Sequence, residues 1–240
     1  MLTLFLIENL SAATNIEVSG DEAHHAIKVL RVKVGEEILL CDGNGSWARA
    51  AISQIDKKSF QAGVLERGYE EERSPKLIVI QGLPKSDRVK ESIEILVESG
   101  VDVIIPWQAE RSISKWQQGS LEKWQNVLTA STKQSRRYRA PEIRGEQTIA
   151  QILAEVSTSK VVIVLHESAT KKISQVINSK FAELGEIFVV IGPEGGLSEN
   201  ELKAFEAAGA HIACLGPEIF RSAHAGGAAL SAISALIGRW

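Results

Sequence analysis

Two short apolar runs near the end of the chain, each followed by a glycine-rich loop, constrain the fold more than any other feature. Residues 188–191 (FVVI) lead into GPEGG at 192–196, and residues 211–215 (HIACL) lead into GPEIFRS at 216–222. A helical pattern follows each loop. Because open α/β sheets bind ligands beyond the carboxyl ends of parallel strands, we expect the two loops to lie side by side. Residues 187–230 are therefore predicted to hold a small cofactor.

The residues of these loops narrow the kind of cofactor. Neither is a Walker phosphate loop, because no Gly-Lys-Ser/Thr follows the glycines, and the dinucleotide fingerprint Gly-x-Gly-x-x-Gly is absent. The glycines permit positive φ angles and a close approach of the backbone to a ligand. Backbone donors and acceptors between apolar flanks suit an adenine and a ribose better than a triphosphate. Leu165 and His166, at the end of a third apolar run, are predicted to line the same pocket.

The composition is that of an ordinary globular protein with a core. The chain has 240 residues, of which 44% are hydrophobic and 24% charged, and no apolar run approaches the roughly 20 residues of a membrane span. Residues 1–7 are apolar without a basic segment, so we interpret them as a first strand and not as a signal peptide. Only Cys41 and Cys214 are present, which indicates a reduced, cytoplasmic protein and excludes a cysteine-rich metal site. Neighbouring His24 and His25 cannot share a helix face, and we expect no metal.

The periodicity changes near residue 73. Before it the chain is β-rich, with strands predicted at 4–7, 38–41, 47–55 and 59–65 and a short helix at 20–30. The charged stretch 69–75 ends in proline and is the predicted linker. Beyond it strands alternate with helices: strands are predicted at 77–81, 101–106 and 161–165, and helices at 87–99, 120–134, 149–156 and 169–180. This alternation indicates a mostly parallel sheet covered on both faces.

A basic segment follows the predicted helix 120–134 and suggests contact with RNA. Residues 129–139 (TASTKQSRRYR) mix arginine with glutamine, serine and tyrosine, which suits phosphate contact and base stacking. Further cations, Lys85, Arg88 and Arg111, occupy other strand-end loops. The formal net charge of −3 argues against a protein that coats nucleic acid non-specifically. Any RNA-binding surface must therefore be local.

Several separate motifs, in the same order, resemble the RsmE-type family of bacterial 16S rRNA uridine-N3 methyltransferases in the SPOUT superfamily. The resemblance covers nearly the whole chain. Its motifs are HAIKVLR at 25–31, DGNG at 42–45, KSDR at 85–88, ESGV at 98–101 with Pro106, ERS at 110–112, KQSRR at 133–137, IGPEGG at 191–196 and LGPEIFR at 215–221.

The resemblance implies a fold, a cofactor and partners. The expected fold is a PUA-like RNA-binding β-barrel domain over 1–73, followed by an α/β SPOUT domain with a deep trefoil knot over 74–240. The expected methyl donor is S-adenosyl-L-methionine. The expected partners are 16S ribosomal RNA, within the assembled small subunit, and a second copy of the chain in a homodimer. Knots are rare exceptions to the usual rules of topology, and the periodicity here predicts none.

The strand ends, the basic segments and the resemblance together supply candidate site residues. Those predicted to bind the cofactor lie at three strand ends and are Leu165, His166, Ile191, Gly192, Pro193, Glu194, Gly195, Gly196, Leu215, Gly216, Pro217, Ile219, Phe220, Arg221 and Ala225. Those predicted to contact RNA are Arg31, Lys85, Arg88, Arg111, Lys133, Gln134, Arg136, Arg137 and Arg139.

The catalytic candidates lie where this chain departs from the family pattern. The family usually carries Thr-Glu-Thr-Ala after the arginine, whereas this chain has SAHA at 222–225, without the carboxylate. Arg221 is predicted to stabilise negative charge on a uracil oxygen or on the adjacent phosphate. Glu194 is predicted either to act as the base or to complement the sulfonium, and Ser222 or His224 to hydrogen-bond the base edge. The target uridine must be unstacked or single-stranded to react.

Two other functions stay open from the residues alone. An α/β enzyme acting on a nucleotide-like small molecule would bind that ligand and not S-adenosylmethionine. A non-catalytic RNA-binding protein of ribosome assembly would bind RNA without transferring a methyl group.

Overall fold

A computed structural model describes residues 2–157 and 161–240 and divides the chain into two compact units. Unit 1 comprises Met1–Glu72 and Thr132–Ala140, and unit 2 comprises Arg73–Ser131 and Pro141–Trp240. This division differs from the predicted domains, 1–73 and 74–240, in the placement of residues 132–140. As functional domains the two predicted spans stay a prediction.

Unit 1 is built on a five-stranded sheet in the order β1-β3-β4-β5-β2. Its strands are β1 (Thr3–Leu6), β2 (Asn15–Val18), β3 (Glu37–Cys41), β4 (Ser46–Ile55) and β5 (Phe60–Tyr69), and one helix, α1 (Gly20–His24), continues into a π-helical turn, His25–Leu30. Strands β3, β4 and β5 correspond to the strands predicted at 38–41, 47–55 and 59–65 and form two consecutive antiparallel hairpins. Strand β2 was not predicted, because only Ile16 and Val18 of its four residues are buried, and so short an alternation is a weak signal.

The core of unit 1 comes from strand residues that alternate between core and solvent. Phe5, Ile38, Leu40 and Phe60 are almost fully buried. The rings of Phe5 and Phe60 meet edge to face, with centroids 5.9 Å apart. One side of the small sheet is therefore closed by its own hydrophobic cluster.

Unit 2 is a six-stranded, wholly parallel sheet in the order β11-β9-β10-β6-β7-β8. Its strands are β6 (Lys76–Gly82), β7 (Val103–Trp107), β8 (Glu142–Ile143), β9 (Val162–Leu165), β10 (Glu186–Ile191) and β11 (His211–Ala213). Its helices are α2 (Val89–Glu98), α3 (Ser120–Gln134, whose last turn belongs to unit 1), α4 (Ile149–Val156), α5 (Ile173–Val176), α6 (Glu199–Ala207) and α7 (Ser222–Leu236). The two-residue strand β8 was too short to predict.

The predicted helix over 169–180 is wrong for most of its length. Only Ile173–Val176 forms an α-helical turn, and a 3₁₀ turn, Ser179–Glu183, follows it. Ile177, which closes α5, takes an extended conformation with φ −88° and ψ 137°. The apolar spacing that suggested a helix instead places Ile173 and Ile177 in the core cluster of unit 2.

Alternate residues of the parallel strands supply two hydrophobic clusters. In β6, Leu77 and Val79 join one cluster and Ile78 and Ile80 the other. Both faces of the sheet are therefore covered, as parallel sheets require. Helix α4 begins with a complete capping box in which Thr148 and Gln151 satisfy each other's backbone amides.

The strand order places a switch point beside β10. Its backbone pairs with β6 on one side and with β9 on the other, although β6 and β9 are far apart in sequence. Loops leaving β9, β10 and β11 therefore emerge at the same edge of the sheet, where open α/β sheets bind ligands. The predicted arrangement, a small β domain before an α/β domain with a parallel sheet, is confirmed, while the trefoil knot stays a prediction. Within residues 2–157 and 161–240, no helix is long and apolar enough to cross a membrane.

Candidate active site

A cavity of about 600 Å³ opens at the carboxyl ends of β9, β10 and β11 in unit 2. Every residue predicted to bind the cofactor lines it, including Leu165, His166 and the two glycine loops. Its walls also include Lys85, Arg88, Glu167, Leu197, Cys214, Glu218, Ser222 and Ala223. The binding roles stay predictions, but one enclosure brings these residues together.

Glycine is required where the loop after β10 meets the end of β6. A Cβ atom on Gly82 would lie 2.7 Å from the Pro193 nitrogen and 2.9 Å from the Ile191 carbonyl oxygen. These are backbone atoms that cannot rotate away. On the other side of the loop, a Cβ on Gly195 would lie 2.9 Å from the Arg111 carbonyl oxygen. The loop is thus held between two neighbouring backbones, which fixes the shape of the cavity wall.

The first residue of α7 fastens that helix to the same loop. The Ser222 hydroxyl donates to the Gly192 carbonyl oxygen at 2.6 Å and accepts from Gln81 Nε2 at 3.4 Å. Gln81 is buried, its Nε2 also donates to the Gly82 carbonyl, and its Oε1 has no partner in the described part of the chain. Ser222, predicted to bond the substrate base, therefore has its proton committed to the loop.

The carboxylate of Glu194 points back toward the loop before α2. Its Oε1 accepts the backbone N–H of Lys85 at 3.0 Å, and its side chain is exposed at the cavity wall. Cations and carboxylates around the cavity balance, with Lys85, Arg88 and Arg221 against Glu167, Glu194 and Glu218. Such a site suits a ligand that carries charges of both signs better than a polyphosphate.

The two histidine candidates sit differently. His166 Nδ1 lies 2.8 Å from Ser168 Oγ and accepts the Ser168 backbone N–H at 3.3 Å, as expected of a residue that closes a strand. His224, in the first turn of α7, does not line the cavity. Its Nε2 lies 2.9 Å from Glu91 Oε1 on α2.

Glu91 links His224 to an arginine at the cavity. Its second oxygen, Oε2, accepts from Arg88 Nη1 at 2.8 Å. These two partners, His224 first and Arg88 second, hold the pKa of the Glu91 carboxyl below its ordinary value. The same contact raises the pKa of Arg88. A carboxylate bridge thus joins the start of α7 to the start of α2.

Close packing of α2 against α7 sets the distance between the two helix starts that the bridge joins. A Cβ on Gly227 would lie 2.2 Å from Ile95 Cγ2, and one on Gly226 would lie 2.7 Å from Leu96 Cδ2. The two glycines, which follow the stretch where the chain leaves the family pattern, let the helices approach closely. The residues at the starts of both helices are held at a fixed separation as a result.

A buried carboxylate that the sequence did not single out supports the other side of the loop. Glu201 is 4% exposed; its Oε2 accepts the Ser198 amide and its Oε1 accepts the Glu110 amide, both at 2.8 Å. It completes the capping box of α6 and holds the loop that carries Arg111, whose Nη1 reaches the Gly195 carbonyl at 3.4 Å. The Ser-x-x-Glu spacing predicts the cap but not the contact with Glu110.

The predicted RNA-contact residues of the basic segment lie in unit 1, and two of them are engaged there. Lys133 Nζ pairs with Glu22 Oε1 at 2.5 Å, with both side chains largely covered. Arg139 donates to the Glu70 carbonyl at 2.6 Å and to the Tyr69 hydroxyl at 2.5 Å. These two cations hold the segment to unit 1.

Tyr138, Gln134 and Arg136 of the same segment differ in contact, exposure and backbone conformation. The Tyr138 ring stacks on Trp47 with centroids 5.2 Å apart, and this contact holds the segment against β4. Gln134 is exposed, and Arg136 adopts a left-handed φ of 56°. Arg31 is also exposed, with a φ of 55°. Within the described ranges, no cluster of His, Cys, Asp and Glu could hold a metal ion.

Two family models match this chain. The one described as RNA methyltransferase domain matches residues 71–234, and the one described as RNA methyltransferase PUA domain matches residues 18–65. The first covers unit 2 as far as residue 234, including every residue of the cavity, and the second lies within unit 1.

Individual proteins agree with these matches. The ribosomal RNA small subunit methyltransferase E of Mycobacterium tuberculosis is 35% identical over 99% of this chain and 93% of its own length. That of Bacillus subtilis is 29% identical over 95% and 92%. A crystal structure of the Neisseria gonorrhoeae enzyme of the same name, bound to S-adenosyl methionine, superposes with a TM-score of 0.88 at 26% identity, covering 98% of both chains. A Legionella pneumophila methyltransferase with bound cofactor SAM gives 0.84 at 25% identity, covering 97% and 96%.

The predicted resemblance is confirmed by these findings, and they favour an RNA methyltransferase over the two alternatives. The cavity at the switch point lies in the part of the chain that the methyltransferase model covers. The chain belongs to the RNA methyltransferase family, with an RNA methyltransferase PUA domain preceding the methyltransferase domain.

Proposed function

We propose that this protein transfers a methyl group from S-adenosyl-L-methionine to N3 of a uridine in 16S ribosomal RNA. The observation that carries the proposal is the convergence of three strand-end loops on one cavity inside the methyltransferase domain. Relatives named ribosomal RNA small subunit methyltransferase E supply the substrate class. Structures of two similar proteins contain the methyl donor.

The residues around the cavity fit this donor. About 600 Å³ is within the usual range for a small-molecule site. Apolar Leu165, Ile191 and Leu215 would flank an adenine, and backbone groups of the Gly192 and Gly216 loops would serve its edge and ribose. The balanced charge around the cavity suits a molecule with both cationic groups and a carboxylate. When bound, S-adenosylmethionine supplies an electrophilic methyl group on a sulfonium.

Arg221 is the residue we assign to charge stabilisation. It precedes α7, lines the cavity and is exposed, and its guanidinium has no hydrogen-bond or ion-pair partner within the described ranges. Loss of the N3 proton leaves negative charge on the uracil. A guanidinium beside the uracil oxygens or the adjacent phosphate stabilises that charge, and positioning supplies the rest of the acceleration.

Glu194 is the residue we assign either to removal of the N3 proton or to a contact that complements the sulfonium of the donor. One carboxylate oxygen accepts the Lys85 amide, and the other is available for either of these roles. Ser222 and His224 direct their polar atoms to Gly192 and Glu91, so we give them no direct contact with the base.

We further propose that the protein works as a cytoplasmic homodimer on the assembled small subunit. Ile219 and Phe220, at the rim of the cavity, are 79% and 46% exposed. Two apolar side chains in such positions favour burial against a second chain. Light scattering of the purified protein measures the assembly state directly.

The decisive test is methyl transfer itself. Small ribosomal subunits from a strain lacking the modification are incubated with labelled S-adenosylmethionine, and the modified nucleoside is identified by mass spectrometry. The expected product is 3-methyluridine at a single position in 16S RNA. Transfer to another base, or binding of S-adenosylhomocysteine without transfer to either subunits or naked RNA, would contradict the proposal.

A further inference from the structure

The carboxylate bridge between α2 and α7 is the polar network that the proposed reaction does not use. Its members, Arg88, Glu91 and His224, each sit in the first turn of a helix or at its start. Arg88 alone of the three lines the cavity. Glu91 and His224 do not line the cavity.

We propose that Glu91, held by His224, is a positioning residue that orients Arg88 to bind a phosphodiester of the RNA substrate at the cavity mouth. The inference rests on the proposed function, since it names a contact of that same site. Arg88 is the group that meets the ligand. His224 acts through Glu91 and not on the base.

The geometry supports a positioning role because each carboxylate oxygen serves one partner. Oε2 of Glu91 holds Arg88 Nη1 at 2.8 Å, and Oε1 faces His224 Nε2 at 2.9 Å. Without His224 the carboxylate could rotate and release the guanidinium. An arginine that keeps one N–H on a fixed carboxylate loses less side-chain entropy when its other donors bind a phosphate.

Charge at the site favours an RNA phosphate as the occupant. Arg88 side-chain atoms are 41% exposed, so the guanidinium reaches solvent at the mouth of the cavity. Lys85, also on the cavity wall, is exposed beside it. A nucleotide entering the cavity brings its flanking phosphates to the mouth, where two cations supply the positioning contacts typical of RNA binding.

Two further carboxylates face the Arg88 end of this bridge. Asp87 Oδ2 lies 3.7 Å from Arg88 Nε, and Glu194 on the loop after β10 contributes to the raised pKa of Arg88. Lys90, on the same turn of α2, pairs instead with Glu94 at 3.7 Å. Lys90 is therefore a matched control: a cation on the same helix that does not belong to the bridge.

A double-mutant cycle on the full-length protein tests the relay. Affinity for a fluorescent, uridine-containing single-stranded oligoribonucleotide is measured by anisotropy across a range of KCl concentrations. We expect Arg88→Ala to weaken binding about tenfold and to lower the salt slope by about 0.7, the loss of one phosphate contact. His224→Ala should weaken binding about threefold, and Arg88→Ala with His224→Ala should equal Arg88→Ala alone.

Conservative variants separate positioning from folding. His224→Gln keeps a donor near the Nε2 position and should bind RNA within about twofold of the unmodified protein, as should Lys90→Ala. Affinity for S-adenosylhomocysteine, measured by calorimetry, should stay within about twofold in every variant that keeps the native circular dichroism spectrum. These measurements report binding and not methyl transfer. They therefore test this inference even if the proposed reaction fails.

Three results would overturn the inference. Independent, multiplying effects of the two substitutions would show that His224 does not act through Arg88. A fall in donor affinity would place Arg88 on the carboxylate of the donor instead. A lower single-turnover rate for His224→Ala, with unchanged RNA affinity, would make His224 a participant in the reaction.

Discussion

Two stretches of this chain carry the strongest functional signals, and the structure uses them differently. The loops at 192–196 and 215–221 meet around one cavity in unit 2. The cations of the basic segment, from Lys133 to Arg139, belong to unit 1, where Lys133 and Arg139 bind acceptors of that unit. A strand-end glycine pattern predicts a site because backbone geometry follows from local sequence. A run of cations predicts only that acceptors are needed, and some of those acceptors lie in the protein itself.

The largest effect is expected where the end of β6 meets the loop after β10. Gly82→Val should weaken S-adenosylhomocysteine binding more than about 100-fold and lower the free energy of unfolding by about 2–3 kcal/mol, because its side chain would overlap the backbone of Pro193 and Ile191. Calorimetry and chemical denaturation measure the two quantities. Gly145→Ala is the control, since no atom lies within 4 Å of its added Cβ. Equal binding by both variants would mean that the cavity does not hold the donor.

The second effect concerns chemistry at the cavity. Arg221→Ala should lower the single-turnover rate of methyl transfer about 100-fold while donor affinity changes less than about threefold, because the lost group stabilises charge that develops during the reaction. Arg221→Lys should recover part of the rate. Quenched-flow measurements on small subunits report it. An unchanged rate for Arg221→Ala would remove Arg221 from the mechanism.

The third effect tests whether the basic segment is structural. Arg139→Ala should lower the free energy of unfolding of unit 1 by about 2 kcal/mol, because the carbonyl of Glu70 and the hydroxyl of Tyr69 lose a charged donor. Arg136→Ala should leave stability within about 0.5 kcal/mol and weaken RNA binding about threefold to tenfold. Denaturant titration measures the free energy of unfolding, and anisotropy measures the affinity for RNA. Weaker RNA binding by Arg139→Ala with unchanged stability would instead show that Arg139 contacts RNA.

The smallest effect compares the two cysteines. Cys41 is buried in unit 1, where burial raises the pKa of its thiol to about 11, so it should not react with a thiol reagent at pH 8 in the native protein. Cys214 lines the cavity and is partly exposed, so it should react and be protected by S-adenosylhomocysteine. Mass spectrometry of the labelled protein reads both sites. Equal labelling of Cys214 with and without S-adenosylhomocysteine would contradict the location of the cofactor.

Prediction from sequence succeeded where the apolar periodicity was sustained and the residues that begin or end an element were clear. Helices α3 and α4 have the predicted bounds, 120–134 and 149–156, because sustained periodicity and, for α4, a capping box define them. It failed for β2, β8 and the stretch 169–180, because the elements formed there have five residues or fewer, too few for periodicity to distinguish helix, strand and turn.

The same contrast holds within the site. The residues predicted at three strand ends all line the cavity, because the carboxyl ends of parallel neighbouring strands lie at one edge of the sheet. Ser222 and His224 were assigned to the substrate, yet they bond Gly192 and Glu91. Residues 30 and 133 positions away along the chain supply these partners. No local pattern reports such pairings.

By itself the sequence determined that two β-strands end in glycine loops, that the second part of the chain is an α/β sheet, and that its family transfers methyl groups. Only the tertiary structure decided which polar side chains face the cavity and which bind one another. Secondary structure and loop conformation depend on neighbours along the chain. A hydrogen bond such as that between Glu91 and His224 depends on how two helices pack, and here Gly226 and Gly227 allow that packing.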